Sequence, residues 1–582
     1  MALRVRWLGK VPYREALAVQ HGLFAHGHDQ HLLLLEHPHV FTHGPRADLA
    51  VNIVVDPASV GAELVAVKRG GDVTYHGPGQ LVGYPIVNVP NALGAADHVG
   101  AIQRLVVGAL EELGVADAGC LPDYPGVWVG VSGPTPRKIC AIGVRLAHGR
   151  TMHGFALNVQ PDMRYLRDYI VPCGIAHLPV TSLAEEGCAA SMRTVTEIIA
   201  RRAADVWGNG QLERQDVAWK ERPDDLAPFS RGEGPGVAVK SAADHRGWDQ
   251  GIRDQGIRDH GIPDQPARLQ GRLEQAGVVE GLAIATRKPD WLRPKVVHGA
   301  EVLSLKRTVR DLGLVTVCEE AGCPNLSDCW ADGTATFMVL GERCTRACGF
   351  CLVDTRKPEP LAEDEPARVA EAVHRMGLAH TVLTMVARDD LLDGGMGHVA
   401  DCVRAIRQRY PSTRIETLIS DGKGDMPSLA ALFEARPDVL NHNIETVARL
   451  QRAVRPSAGY ARSLGVLAAA KEAGLTTKSG IIVGMGETPD EVDGCLADLA
   501  GVGVDIVTIG QYLRPTSHHL PVARWVEPSE FLRWKAVGES MGIGHVEASP
   551  LTRSSYHARH AAEQVVGPSI LEAGAGTAPS FV

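Results

Sequence analysis

Between positions 318 and 351 the chain places six of its twelve cysteines: Cys318, Cys323, Cys329, Cys344, Cys348 and Cys351. The remaining six (Cys120, Cys140, Cys173, Cys188, Cys402 and Cys495) are scattered. Disulfide-stapled secreted scaffolds are short and loop-rich, whereas this chain has 582 residues, 45% hydrophobic and 22% charged, an ordinary globular make-up. The cluster therefore reads as metal-binding, and the fold must bring several thiolates onto neighbouring loops. Such a length provides for several cores. The net charge of -9 argues against nucleic acid or an anionic membrane as the main partner. No apolar run approaches the ~18 residues that a membrane span needs. Residues 1–10 lack the apolar core of a secretory signal, and their basic character fits a folded strand better than a transit peptide. The expected location is the cytoplasm.

Residues 1–208 read as mixed α/β. Strand-like runs occupy 32–37, 81–89, 127–131, 139–146 and 152–159, the last two joined at His148-Gly149-Arg150 as a hairpin. A helix capped by Asp97 carries Ile102, Leu105, Val106, Leu110 and Leu113 on one face and ends at Gly114. Residues 209–281 are rich in Pro, Asp, Arg and Gly and include three pentads starting at Gly251, Gly256 and Gly261. Repeats that short cannot stack as a solenoid, so a flexible linker is expected. From 282 to 582 strands and helices alternate. Apolar or β-branched runs at 334–340, 380–387, 414–420, 439–446, 478–484 and 506–513 predict parallel strands in a full or partial α/β barrel.

Cys344, Cys348 and Cys351 form C-x3-C-x2-C directly after the strand 334–340. Three thiolates on one tight loop suit a 4Fe–4S cube with one iron left open, which can chelate S-adenosylmethionine. Zinc prefers four closed ligands and C-x2-C pairs. Cys318, Cys323 and Cys329 form C-x4-C-x5-C, a second and independent set. A second cluster can bind substrate, relay electrons, surrender its sulfide or be purely structural, and the spacing alone leaves these open.

These two sets, together with Lys288-Pro-Asp-Trp-Leu-Arg293, Arg388-Asp-Asp-Leu-Leu-Asp-Gly-Gly395, Asn441-His-Asn-Ile-Glu-Thr446, Lys478-Ser-Gly-Ile-Ile-Val-Gly-Met-Gly-Glu487 and Arg553-Ser-Ser-Tyr-His557, resemble lipoyl synthase across most of residues 282–566. The resemblance implies a partial (β/α)6 barrel of the radical S-adenosylmethionine type. It implies a 4Fe–4S cluster with S-adenosylmethionine on Cys344, Cys348 and Cys351, and an auxiliary 4Fe–4S cluster on Cys318, Cys323 and Cys329. That second cluster donates two sulfurs to C6 and C8 of a protein-bound octanoyl chain, with Ser555 as its fourth ligand and Ser554 as the alternative. A hydroxyl is a harder, weaker ligand than thiolate and can leave as the cluster is dismantled. The chain departs from the family at Ala387, where an Asp is usual, and at Arg514-Pro-Thr-Ser517, which lacks the usual closing Arg.

In the N-terminal half, Pro172-Cys173-Gly174 suits a nucleophile on a turn, although a lone cysteine is more often a small buried hydrophobe. Lys138 alone would be a solvated lysine. Arg69-Gly70-Gly71-Asp72-Val73-Thr74-Tyr75-His76, followed by Gly-Pro-Gly-Gln80, suggests backbone approaching a ligand, or else a Gly/Pro loop around a satisfied histidine. Taken in order with Arg137-Lys138-Ile139 and His153-Gly-Phe-Ala-Leu-Asn158, these motifs resemble lipoyl(octanoyl) transferase over residues 5–197. That implies a biotin/lipoate ligase-like α/β fold, with Cys173 as an acyl-thioester nucleophile and Lys138 lowering its pKa. It implies substrate contacts at residues 69–76, at Ala141, Ile142 and Gly143, and at Gly154, Phe155 and Ala156. His43 departs from the apolar residue usual there. The implied partners are octanoyl-acyl carrier protein, the lipoyl domains of 2-oxoacid dehydrogenases and of the glycine cleavage H protein, and an electron donor such as ferredoxin or flavodoxin. The rivals are a lipoate–protein ligase for the first half and, for the second, another two-cluster sulfur-inserting enzyme or a cluster-storing scaffold.

Overall fold

Leu3, Val5 and Trp7 point inward from the opening strand β1 (Leu3–Lys10). In the computed structural model, residues 2–122, 124–175, 177–219, 278, 288–293, 311–316, 325, 329–330, 333–516 and 519–566 are described. They belong to two units, residues 1–219 and 220–582.

In the first unit β1 lies parallel to β2 (Gln30–Glu36) on one side and to β11 (Leu212–Asp216) on the other. The sheet continues antiparallel from β2 through β6 (Gln80–Ile86), β10 (Arg150–Asn158), β9 (Arg137–Ala147), β8 (Tyr124–Val129) and β7 (Ala118–Leu121). His148 and Gly149 join β9 to β10 with φ of 53° and 72°, the doubly left-handed turn that matches strand twist. A small sheet pairs β3 (Val40–His43) with β4 (Glu63–Ala66) and β5 (Thr74–His76). The helices Ala95–Glu112 and Met192–Trp207 bury Ile102, Leu105, Val106 and Leu110, and Val195, Ile199 and Ala203, in one core with Leu3, Val5, Leu32 and Leu34. Asp97 caps the first of these helices from its third position, accepting the Gly94 N–H at 2.7 Å.

The first unit extends past the boundary expected at 208. β11 completes the sheet edge, Glu213 pairs with Arg4 and Arg6, and Trp219 stacks on Trp7 with ring centroids 4.2 Å apart. A polar five-residue edge strand carries no hydrophobic signal, because its partner supplies the pairing. The pentads lie outside the described residues. Val278, also assigned to the linker, is buried, and a side chain on Gly486 would collide with it. Packing of the second unit thus begins before residue 282.

The second unit strings β12 (Val315–Thr316), β13 (Thr334–Val339), β14 (His380–Met385), β15 (Arg414–Leu418), β16 (Val439–Asn441), β17 (Thr476–Val483), β18 (Ile506–Gln511) and β19 (His545–Ala548) in chain order. All pairs from β13 onward are parallel. A helix bridges each successive parallel pair, so the sheet is a partial barrel of six βα units closed off by β19, a strand too short to announce itself in the sequence. Every strand's C-terminal end therefore opens on one rim. Inside, Lys478 Nζ lies 3.0 Å from both Glu416 oxygens, and Asn441 Nδ2 donates to Glu416 at 2.8 Å. Burial opposes ionisation of Glu416, but Lys478, His380 and Asn441 together outweigh it and the carboxyl falls to about 2. Among the described residues no helix is long and apolar enough to cross a membrane.

Because Trp219 closes the first unit by stacking on Trp7 and donating to Asp216, Trp219→Ala should cost that unit about 1–2 kcal/mol, with Trp219→Phe retaining most of it. Urea unfolding of the two variants measures this.

Candidate active sites

Strand alternation decides which of the glycine-rich residues face the first unit's cavity. A space of about 290 Å³ is lined by Arg69, Gly71, Asp72, Thr74, His76, Lys138, Ala141, Ile142, Gly143, Gly154, Phe155 and Ala156. Three expected liners are elsewhere. Gly70 donates its N–H to Val144 O at 3.1 Å, and Val73, just before β5, and Tyr75 within it are buried in a core with Phe41 and Tyr165. Tyr13, Tyr84, Tyr124, Pro125, His153 and Ile175 also line the space. Tyr13 and Tyr84 carried no local signal in the sequence, while His153 opens the motif from which only Gly154, Phe155 and Ala156 were expected at the substrate.

Cys173 lies in the short turn Pro172–Gly174, with Gly174 at φ 69°. An Asp72 carboxylate oxygen sits 3.3 Å from where a Gly174 Cβ would stand, and the next residue, Ile175, lines the cavity. The turn therefore borders the same space as Lys138. The Lys138 ammonium lies over the Trp128 ring, 5.4 Å from its centroid, and its backbone is pinned between Pro179 O and the Thr181 N–H. Gly126, at φ 127°, makes room, since a Cβ there would fall 2.6 Å from Lys138 Cε.

The polar wall spends its donors on itself. Asn158 donates to Thr181 O, and Gln80 Nε2 donates to Asn158 Oδ1, leaving Gln80 Oε1 to accept His76 Nδ1–H at 2.9 Å. His76 Nε2 then accepts from Thr42 Oγ1 at 3.4 Å, and Thr42 accepts from Arg69 at 2.9 Å. Likewise His37 Nδ1–H donates to Val11 O at 2.7 Å, so its Nε2 accepts from the Tyr84 hydroxyl at 2.8 Å. An alkyl chain can fill such a space without stripping these groups of partners. His153 Nδ1 is the exception, buried with no hydrogen-bond partner among the described residues.

In the second unit the loop 344–351 follows β13 at the rim. Cys344 N–H donates to Asp354 O, and the Thr345 N–H and hydroxyl both donate to Ala387 O at 2.9 Å. Gly349 N–H donates to Val454 O, and His519 Nε2 to Cys351 O. Ala387 thus serves the loop through its carbonyl, so the missing Asp side chain removes none of these contacts. Arg346, inside the loop, is buried and paired with Asp389 and Asp421, which the sequence reading missed as partners. Desolvation pushes up all three thiols, Cys348 to about 11, and ionised Cys344 and Cys348 would further disfavour ionisation of Cys351. Three thiols on one loop are the donor set of a three-iron-anchored cluster, while among the described residues no three His, Cys, Asp or Glu side chains are gathered to hold a single metal ion.

Cys318, Cys323 and Ser517 lie outside the described residues. Cys329 is buried beside Trp330; its N–H donates to Asn325 O, and Asn325 Nδ2 donates to Leu551 O at 2.7 Å. That bond ties the Cys329 segment to the stretch entering Arg553-Ser-Ser-Tyr-His557. Ser554 Oγ accepts from Asn443 Nδ2 at 2.6 Å. Among the described residues no hydrogen bond engages the Ser555 hydroxyl, which leaves it the freer of the two to act as a ligand.

Burial also keeps several histidines of the first unit neutral: His37 and His98 are pushed down to about 4, and His31 and His153 to about 3. In the unfolded chain each protonates near 6.5, so the unfolded state binds more protons at acid pH. Stability of this unit should fall as pH drops below ~6.5 and keep falling to about 4. A thermal midpoint level from pH 7 to 4.5 would contradict this.

Three family descriptions match the chain. Residues 12–204 match the lipoyl protein ligase A/B catalytic domain, 338–499 the radical SAM superfamily, and 264–323 the N-terminal domain of lipoyl synthase. The lipoyl synthase of Mycobacterium ulcerans is 54% identical over 278 residues, 48% of this chain and 86% of that protein. That of Rubrobacter xylanophilus is 53% identical over 278 residues, 47% of this chain and 87% of its own length. Among solved structures, a bipartite lipoate protein ligase with its E2 lipoyl domain from Thermoplasma acidophilum aligns at 18% identity and a TM-score of 0.32, covering 44% of this chain and 99% of that one.

Proposed function

From a chain that belongs to the lipoyl synthase family through its C-terminal half, and carries a lipoyl protein ligase A/B catalytic domain before it, we infer an enzyme performing two successive steps of lipoate biosynthesis. In the first, the Cys173 sulfur attacks the thioester carbonyl of octanoyl-acyl carrier protein, and the carrier's pantetheine thiol leaves with the proton. A lysine amine of a lipoyl domain then attacks the Cys173 thioester, forming the amide and returning the proton to the sulfur. Lys138 favours the Cys173 thiolate by its charge and passes protons between the two steps. One observation carries this reading: the Cys173 turn and Lys138 border a single cavity whose polar wall has spent its donors. A lipoate–protein ligase activates its acid with ATP and has no need of that pairing.

In the second step Cys344, Cys348 and Cys351 hold a 4Fe–4S cluster with S-adenosylmethionine, and Cys318, Cys323, Cys329 and Ser555 hold an auxiliary one. When bound, these groups supply the hydrogen abstraction and the sulfur that convert an octanoyl-lysyl chain to lipoyl, with electrons from a ferredoxin- or flavodoxin-like donor. The chain's own residues fix the loop on its rim and leave the Ser555 hydroxyl available.

Cys173→Ala should abolish octanoyl transfer in a reaction without ATP. Lys138→Arg, which keeps the charge but cannot exchange a proton, should lose about 100-fold or more. Mass spectrometry of the lipoyl domain reads both, and undiminished transfer by Cys173→Ala sinks the thioester route. Replacing any of Cys344, Cys348 or Cys351 by Ala should stop cleavage of S-adenosylmethionine. Replacing Cys318, Cys323 or Cys329, or Ser555 by Ala, should leave cleavage running and stop sulfur insertion. Lipoyl product from these auxiliary variants would place the sulfur source elsewhere.

A further inference from the structure

The loop 344–351 carries three cysteines within eight residues. Backbone bonds to Ala387, Asp354 and Val454 hold its two ends. Between them the side chains of Thr345 and Arg346 tie the loop to its neighbours. Arg346, two residues after Cys344 and two before Cys348, is 6% exposed. Its Nε and Nη2 donate to the two oxygens of Asp389, each at 2.8 Å, a bidentate fork. The same Nη2 lies 2.6 Å from Asp421 Oδ1.

The two carboxylates come from different loops, one following β14 and the other following β15. Asp421 is wholly buried and is itself fixed. Its Oδ1 accepts the Lys423 N–H at 3.1 Å, and its Oδ2 lies 3.6 Å from Arg462 on the helix Tyr460–Glu472. The Asp389 N–H in turn donates to the Thr345 hydroxyl at 3.0 Å, so the neighbouring residue of the cysteine loop is locked as well. Burying an arginine with two carboxylates costs several kcal/mol in desolvation per ion, and well-packed apolar residues would often be as stable. Such a network is explained by what it positions.

We propose that Arg346, with Asp389 and Asp421, is a positioning clamp that presets the Cys344–Cys351 loop for its iron–sulfur cluster by tying it to the next two rim loops. This rests on the reading of those cysteines as cluster ligands. Lysine cannot replace the arginine fully, because a single ammonium cannot form a fork on one carboxylate while reaching a second.

The test uses the full chain with Cys318, Cys323 and Cys329 all changed to Ala, so that bound iron reports one cluster. After anaerobic reconstitution, the readouts are iron per chain, the electron paramagnetic resonance spectrum of the reduced protein with and without S-adenosylmethionine, and the thermal midpoint. Cys348→Ala in this background is the control: if it keeps its iron, the ligand assignment fails, whatever the clamp does. With the control behaving, Arg346→Gln should bind less than a third of the parent's iron, and Arg346→Lys an intermediate amount with an altered spectrum. The paired variant Arg346→Met with Asp421→Leu removes the buried charges together. It should regain most of the thermal midpoint but not the iron. The clamp is overturned if Arg346→Gln loads to the parent's level with an unchanged spectrum, or if the paired variant regains iron and midpoint together, which would make the network a stability element only.

Discussion

The loop 344–351 is held in place by partners from other loops, with Ala387, Asp389 and Asp421 all bonded to it. The parallel register of β13, β14 and β15 is what makes this possible, because it brings the C-terminal ends of consecutive strands to one rim. The cysteine loop then meets the loop carrying Ala387 and Asp389 directly and the one carrying Asp421 across it. Beneath that rim the Glu416–Lys478 pair, with Asn441, joins β15, β16 and β17 inside the barrel. A buried pair of this kind adds little net stability, but a slipped register would leave each charge alone, which selects one alignment.

The first unit meets the opposite demand. Its cavity is walled by histidines, tyrosines and an arginine whose polar atoms need partners. The solution is directional: His76 and His37 each have one nitrogen committed as donor, which forces the other to accept, and the neighbouring hydroxyls and amides fall into line. Burial keeps both rings neutral, so the chains do not reverse near neutral pH. Lys138 stands at the same cavity over Trp128, where an aromatic face steadies a cation without neutralising it. Both units thus commit polar groups to one another so that a reactive group is left in a defined setting.

Several departures between sequence and structure share a cause. β11 and β19 are short strands whose pairing is provided by their neighbours, and neither has enough apolar residues to signal itself. Val73 and Tyr75 sit in a motif that reads as one continuous ligand loop, yet extended chain alternates through it, so both are buried in the core while Thr74 and His76 face the cavity. Ala387 stands where the resembled family has an acid, but the contact it makes is through its carbonyl, which any residue supplies.

The sequence alone determined the chemistry that depends on local spacing. C-x3-C-x2-C and C-x4-C-x5-C gather six thiols within a short stretch, and alternating strands and helices declare a parallel barrel. Tertiary structure alone decided which groups surround that chemistry. Asp389 lies 43 residues beyond Arg346, and Tyr84 lies 47 residues beyond His37. Asn443 reaches Ser554 across 111 residues. A contact at such separation is set by strand order and register, which every residue of the sheet contributes to and no short motif encodes.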